Sequence, residues 1–261
     1  MSRLGNSLAG ASALVLLALP VHAQTMPVFG GYAFGQYATS EVAGESVDMW
    51  SGGGSIVAGI AQGFNLQGDI GYATAEVDGV GDLNVWNFGG AAFYRSALGA
   101  NGGPGFAAGL AIGRTSLDID SFDYDLTTYG AFGEIYISEM VTGFINGGWV
   151  DGDFDLDGNY VGGGLRVYPM PNLSLTGSIN HATGEGDSDA TDFGIKGEFL
   201  FSSMVPVALY AGYNNISSDG DDGIDVWTIG LRVLFDPAGT LYQRDVSGPI
   251  RNASPSNNFR F

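Results

Sequence analysis

Cysteine is absent from this chain and basic residues are scarce. It has no cysteine among its 261 residues, which excludes disulfides and thiolate metal sites. Only 9 lysines and arginines stand against 28 acidic residues, so the net charge is -19 and no basic patch points to a nucleic-acid partner. The acid excess does not indicate disorder, because 45% of the residues are hydrophobic.

Long hydrophobic runs are also missing. After the first residues no segment has 18 consecutive apolar side chains, so the sequence predicts no transmembrane helix. A protein of this kind can cross a membrane only as a closed β-barrel. The one early apolar run, residues 13–19, follows Arg3 and precedes small residues around Ala23. This pattern predicts a secretory signal peptide at residues 1–23.

The rest of the chain alternates between apolar and polar residues with a period of two. In the last such segment, residues 224–235, Trp227, Ile229 and Leu231 fall on one face and Arg232 on the other. We count twelve segments of this type, each long enough for a tilted strand to cross a bilayer. A barrel of ten strands is the alternative, because residues 126–137 and 141–150 have mixed parity, with apolar residues on both faces of the predicted strand.

The segments are joined alternately by tight turns and by acidic, glycine-rich stretches. This layout predicts an all-β fold, a transmembrane antiparallel up-and-down β-barrel over residues 24–236, with its turns in the periplasm. The alternative is a soluble β-sandwich, which would bury the apolar faces. From Asp236 the alternation stops, and residues 237–261, with Pro237, Pro249 and Pro255, are predicted to form a disordered periplasmic tail.

The last segment also carries a short motif, Thr228-x-Gly230-x-x-Val233-x-Phe235. It resembles the recognition signal in the final strand of bacterial outer-membrane proteins, although here the chain continues past Phe235. The chain after residue 23 resembles the small porin-like outer-membrane proteins of Gram-negative bacteria. The resemblance implies insertion by the barrel-assembly machinery, contact with outer-membrane lipid and lipopolysaccharide, and passage of small solutes.

A set of charged residues lies on the polar faces of the predicted strands. We expect a lumen constriction that selects ions. Its members are Glu134, Arg166, Lys196, Glu198 and Arg232, with Asp69 as a further candidate. The acidic loops would attract cations, so the leading hypothesis is passive, weakly cation-favouring diffusion of small solutes. The alternative is a non-conducting structural or surface-interaction barrel, filled by paired charges, whose loops bind divalent cations.

Two further patterns suggest chemistry. Asp153, Asp155 and Asp157 match the first half of a calcium loop, but Gly164 stands where the bidentate glutamate belongs. We therefore expect no cofactor beyond loose Ca²⁺ or Mg²⁺ at the acidic loops. His181 is the one histidine after residue 23, and we expect it to face outward. His181-Ala182-Thr183 resembles the His-x-Ser pair of outer-membrane phospholipase A and of the lipid A deacylase, but has threonine in place of serine.

The protein is accordingly predicted not to be an enzyme, because no residue is placed to orient that histidine. A lipid-modifying hydrolase that uses His181 is kept as the third hypothesis.

Overall fold

The chain forms a closed barrel of twelve antiparallel strands in the computed structural model, which describes residues 29–42, 45–77, 81–96, 104–119, 122–153, 157–184, 189–201, 206–218, 223–235 and 239–253. Each strand pairs with its sequence neighbours, and β1 pairs with β12 to close the sheet. The strands are β1 (Phe29–Val42), β2 (Glu45–Ala61), β3 (Phe64–Val77), β4 (Gly81–Arg95), β5 (Gly105–Ile119), β6 (Phe122–Ser138), β7 (Val141–Gly152), β8 (Gly158–Met170), β9 (Leu173–Gly184), β10 (Asp189–Leu200), β11 (Val207–Ser218) and β12 (Ile224–Leu234).

The apolar faces point outward, as the alternation predicts. On β12, Trp227 and Ile229 are 60% and 52% exposed, whereas Val226 and Arg232 are buried. Large apolar side chains are exposed in the same way on the other strands. A soluble sandwich would bury these side chains. A closed barrel with such a belt is built to face lipid, so the protein lies in the outer membrane.

Aromatic pairs mark the outer edge of this belt. The rings of Tyr37 and Trp50 are 5.0 Å apart, and those of Tyr213 and Trp227 are 4.8 Å apart. A third pair, Tyr72 with Trp86, has its rings at 4.7 Å. Aromatic girdles of this kind lie at the membrane–water interface of outer-membrane barrels.

The prediction of twelve strands is confirmed. The mixed parity on β6 arises because the aromatic residues Phe132 and Tyr136 lie on the inner face, where they are buried in an apolar cluster. The register shift of this strand pair falls beside the turn, between Tyr136 and Ser138. Through the lipid belt the alternation holds, because Ile135 is exposed while Glu134 and Tyr136 are buried.

The strands continue further outward than predicted, into the acidic stretches. Cross-strand hydrogen bonds form there, from the Tyr37 hydroxyl to Asp48 (2.6 Å) and from the Tyr213 hydroxyl to Asp225 (2.7 Å). Above the lipid both faces of a strand meet water, so the apolar alternation ends while backbone pairing continues.

The prediction that residues 237–261 are disordered is wrong for residues 239–253. Helix α1 (Leu241–Ser247) begins with a capping box, in which Thr240 and Gln243 each satisfy the other's backbone N–H. Among the residues that the structure describes, no helix is long and apolar enough to span a membrane. The predicted signal peptide lies outside the described residues.

Candidate functional site

The segment that follows the barrel, residues 239–253, lies inside the lumen at the tight-turn end; we call it the lumenal segment. The backbone N–H of Leu241 donates to the carbonyl of Pro171, in the turn between β8 and β9, at 2.8 Å. Leu241 is fully buried, in a cluster with Tyr168, Leu200 and other inward side chains. Further along, Ile250 and Ala253 are buried in a second apolar cluster. The segment is therefore packed against the barrel wall by apolar contacts as well as by polar ones.

Ion pairs join the lumenal segment to the barrel. Arg166 of β8 approaches Asp245 at 3.4 Å, and the hydroxyl of Tyr168 donates to the same carboxylate at 2.7 Å. Arg251 pairs with Asp245 within the segment and with Glu198 of β10 at 2.5 Å. Asp245 and Arg251 thus each connect the segment directly to a charge on the wall.

The carboxylate of Glu198 is shared. It also accepts two hydrogen bonds from Arg232 of β12, at 3.0 and 3.1 Å. The Arg232 guanidinium in turn lies 4.8 Å from the ring centre of Tyr32, a cation–π distance. Buried charges of this kind are tolerated only when they are paired, and here each one has a partner of opposite sign.

The charge of Arg251 is held firmly. Burial lowers the pKa of its guanidinium, but the neighbouring carboxylates of Asp245 and Glu198 more than offset this and raise it above its ordinary value. Arg251 therefore stays charged at neutral pH.

The lumenal segment also reaches the far wall of the lumen. Gln67 of β3 exchanges two hydrogen bonds with the backbone of Ile250, at 2.8 and 3.0 Å. Arg95 of β4 donates to the carbonyl of Gly248 at 2.8 Å, and Asn146 of β7 to that of Asn252 at 3.3 Å. The segment thus contacts strands on several sides of the closed sheet.

The structure places the five predicted constriction residues on the lumen face, where they have different partners. Glu198 and Arg232 touch each other, and Arg166 joins them through the lumenal segment. Glu134 instead accepts a hydrogen bond from Tyr136 at 3.2 Å. Lys196 is half-buried, with its ammonium 5.8 Å from the ring centre of Tyr210. Their joint role as a constriction stays a prediction.

Asp69, the further candidate, is also inside the barrel. Its carboxylate accepts hydrogen bonds from Gln67 at 3.1 and 3.2 Å. Since Gln67 holds Ile250, Asp69 supports the far-wall contact with the lumenal segment.

A polar cavity of about 140 Å³ lies beside this cluster. Asp192 lines it and accepts hydrogen bonds from Asn180 (2.9 Å) and Asn214 (2.7 Å). Its wall combines hydroxyl, amide and charged groups with a few aromatic rings. The lining residues are Tyr32, Gln36, Phe144, Asn146, Arg166, Thr176, Ser178, Asn180, Asp192, Gly194, Ile195, Lys196, Tyr210, Gly212, Asn214, Thr228, Arg232, Arg251 and Asn252. Such a lining suits water and small polar solutes.

The calcium-loop residues do not converge in the part of the chain that the structure describes. Asp153 accepts from the backbone N–H of Asp125, and Asp157 from that of Gly152, while Asp155 lies outside the described residues. No group of three or more histidine, cysteine or acidic side chains forms a metal-sized cluster among the described residues.

His181 has no carboxylate partner in the described structure. Its Nδ1 lies 3.0 Å from the hydroxyl of Thr191, on the half-buried outer rim of β9. Asp192 cannot orient it, because that side chain points into the lumen. The arrangement lacks the third member that an activated histidine needs.

The residues of the assembly motif all lie on or next to β12. Val233 and Phe235 face outward, and the backbone N–H of Phe235 donates to Gly31 at 2.7 Å. Thr228 lines the cavity, and Gly230 lies under Tyr210, where a Cβ atom would come within 2.5 Å of that ring. Recognition of these residues by the assembly machinery stays a prediction.

Sequence reasoning missed the partners that the lumenal segment supplies. Asp245 and Arg251 fall in the region predicted to be disordered, and Gln67 and Arg95 carry no special pattern. One signal was available: a threonine followed three residues later by Gln243 is a helix-start pattern.

Comparison with known proteins supports the fold. No protein-family model and no curated protein matches the chain. Among solved structures, the KdgM porin is similar with a TM-score of 0.52 at 10% identity, over 77% of this chain and 98% of that one. An outer membrane channel from Pseudomonas putida F1 gives 0.56 at 13% identity, over 82% and 97%. The fold is that of a porin-like outer-membrane barrel.

The same porin, solved in complex with disordered oligogalacturonate, gives a TM-score of 0.52 at 9% identity, over 77% of this chain and 98% of that one. At such low identity the likeness concerns the fold alone.

Proposed function

We propose that the protein is a porin-like channel that lets small solutes diffuse passively across the outer membrane, with a weak preference for cations. The proposal rests on the polar cavity inside a closed barrel, because a lining of hydroxyl, amide and charged groups suits water and small polar solutes. The similar solved structures include a porin and a channel, which agrees with this reading.

The cation preference rests on the charge distribution. Acidic residues are concentrated at the outer ends of the strands, and Asp192 points inward there. Negative charge around the outer opening of a channel raises the local concentration of cations there. Deeper in the lumen, Arg166, Arg232 and Arg251 are paired with carboxylates, so they oppose this preference only weakly.

Several accompanying features belong to the same proposal. We propose that it is not an enzyme; the partner described for His181 is the hydroxyl of Thr191, which is not an orienting carboxylate. Its surroundings are outer-membrane lipid and lipopolysaccharide, it is inserted by the barrel-assembly machinery, and it binds no nucleic acid. Acidic loops hold Ca²⁺ or Mg²⁺ only loosely.

One observation favours a second candidate, a non-conducting structural barrel. The lumenal segment occupies the tight-turn end of the lumen and buries its ion pairs there. If that arrangement were permanent, the barrel would carry surface loops without passing solutes.

Reversal potentials in planar bilayers test the channel proposal. Under a KCl gradient, the protein and a variant truncated after residue 238 should both show a reversal potential with the sign expected of a cation-selective channel. Asp192→Asn should reduce it, because the carboxylate faces the lumen. Asp225→Asn is the matched control and should reduce it less, because that exposed carboxylate is on the outward-facing side of β12, beside Tyr213. Absence of current steps from both chains would end the proposal.

A further inference from the structure

We propose that the lumenal segment is a reversible plug: the lumen contains a binding site for this one peptide, and its occupancy holds the conductance low. The inference rests on the proposed channel function and adds its regulation. The ligand is chemically defined: a short helix that carries Arg244 and Asp245, followed by a turn that carries Arg251.

The segment spans the lumen instead of lining one wall. Its contacts reach Arg166 and Glu198 on one side of the closed sheet and Gln67 and Arg95 on the other. In the strand order β8 and β10 are separated from β3 and β4 by at least three strands in either direction. A peptide that touches both sets crosses the path between the tight-turn end and the cavity.

The barrel is complete without the segment. Each of the twelve strands pairs with two other strands, and none pairs with residues 239–253. The ladders that close the sheet therefore do not depend on backbone pairing with the segment. This distinguishes a plug from a structural element of the wall.

Some buried polar atoms at the interface have no protein hydrogen-bond partner among the described residues. Buried polar atoms without a hydrogen-bond partner in the described structure include Arg95 Nε, Asn146 Oδ1, Arg232 Nε, Tyr242 Oη and Asn252 Nδ2. All five belong to the segment or to residues that contact it or its ion pairs. An unpaired buried polar group opposes docking, because water satisfies it once the segment leaves.

Two ion pairs between the lumenal segment and the wall have opposite polarity. Asp245 of the segment meets Arg166 of the wall, and Arg251 of the segment meets Glu198. A charge introduced with the wrong sign should expel the segment, and the complementary change in the wall should bring it back. An apolar plug would not respond in this way.

Single-channel recording tests the plug directly. A chain truncated after residue 238 should show several-fold higher conductance than the full chain. A synthetic peptide of residues 239–261, added on the side of the tight turns, should return the conductance to the low level. A scrambled peptide of the same composition is the control and should leave the current unchanged.

A second pair of variants keeps the test valid if the truncated chain fails to fold. In the full chain, Asp245→Arg places like charge beside Arg166 and Arg251, so the conductance should rise several-fold. Adding Arg166→Asp should lower it again.

The outcomes separate the plug from the channel itself. Equal conductance of the full and truncated chains, or of Asp245→Arg and the unmodified protein, would overturn the plug. Absence of current from every variant would instead overturn the proposed channel. Block by the scrambled peptide as strong as that by the native peptide would also overturn the specific site.

Discussion

Removing Asp245 should release the lumenal segment, and the size of the effect follows from its partners. This buried carboxylate pairs with Arg166 and Arg251 and accepts the hydroxyl of Tyr168 at 2.7 Å. Breaking a buried ion pair by removing one partner costs about 3–5 kcal/mol. Since about 1.4 kcal/mol is tenfold in an equilibrium, Asp245→Ala should raise the undocked population roughly 100-fold or more.

Limited trypsin digestion measures that population. Trypsin cuts after arginine, and Arg244 and Arg251 are only 3% and 8% exposed when the segment is docked. When docking and undocking are fast relative to cleavage, the cleavage rate follows the fraction that is open. Asp245→Ala in refolded protein should therefore be cut after Arg251 roughly 100 times faster, as read by mass spectrometry. The bond after Arg244 is not compared in this variant, because Asp245 is part of it.

The control for this experiment removes a carboxylate that does not touch the segment. Asp225→Ala, at the outer rim, should leave the cleavage rate at both sites unchanged. Equal rates in Asp245→Ala and the unmodified protein would refute the argument that buried charges hold the segment.

Three further variants test other parts of the structure. Leu231→Arg on the lipid face should lower the unfolding free energy in vesicles by about 2–4 kcal/mol, and an unchanged urea midpoint would contradict the assigned outer face. Gly230→Val should cost about 1–3 kcal/mol by overpacking against Tyr210 and the Cβ of Gln36, and combination with Tyr210→Ala should remove only the part of this loss that is due to the Tyr210 ring. Thr240→Ala removes the helix cap, worth about 0.5–2 kcal/mol, so its tryptic cleavage should lie between that of the unmodified protein and that of Asp245→Ala.

The sequence was sufficient to predict the barrel because lipid and lumen impose opposite requirements on alternate residues. Ile229 and Arg232 are three positions apart on β12, and the first is exposed to lipid while the second is buried inside. A period of two carries that difference through every strand. Outside the membrane the requirement disappears, which is why the outer strand ends were predicted as loops.

The lumenal segment could not be predicted in the same way. Its helix has seven residues, too few for a periodic pattern, and its stability comes from distant partners such as Glu198 and Gln67. The five predicted lumen charges were on the correct face, but their partners lie far away in the sequence. Only the capping box of Thr240 and Gln243 was visible locally.

Liposome swelling with uncharged sugars of increasing size tests the central claim most directly. We expect influx that falls with solute size, and faster influx through the chain truncated after residue 238 than through the full chain. Absence of swelling with the smallest sugar, in vesicles where the truncated barrel is shown to be folded, would contradict it.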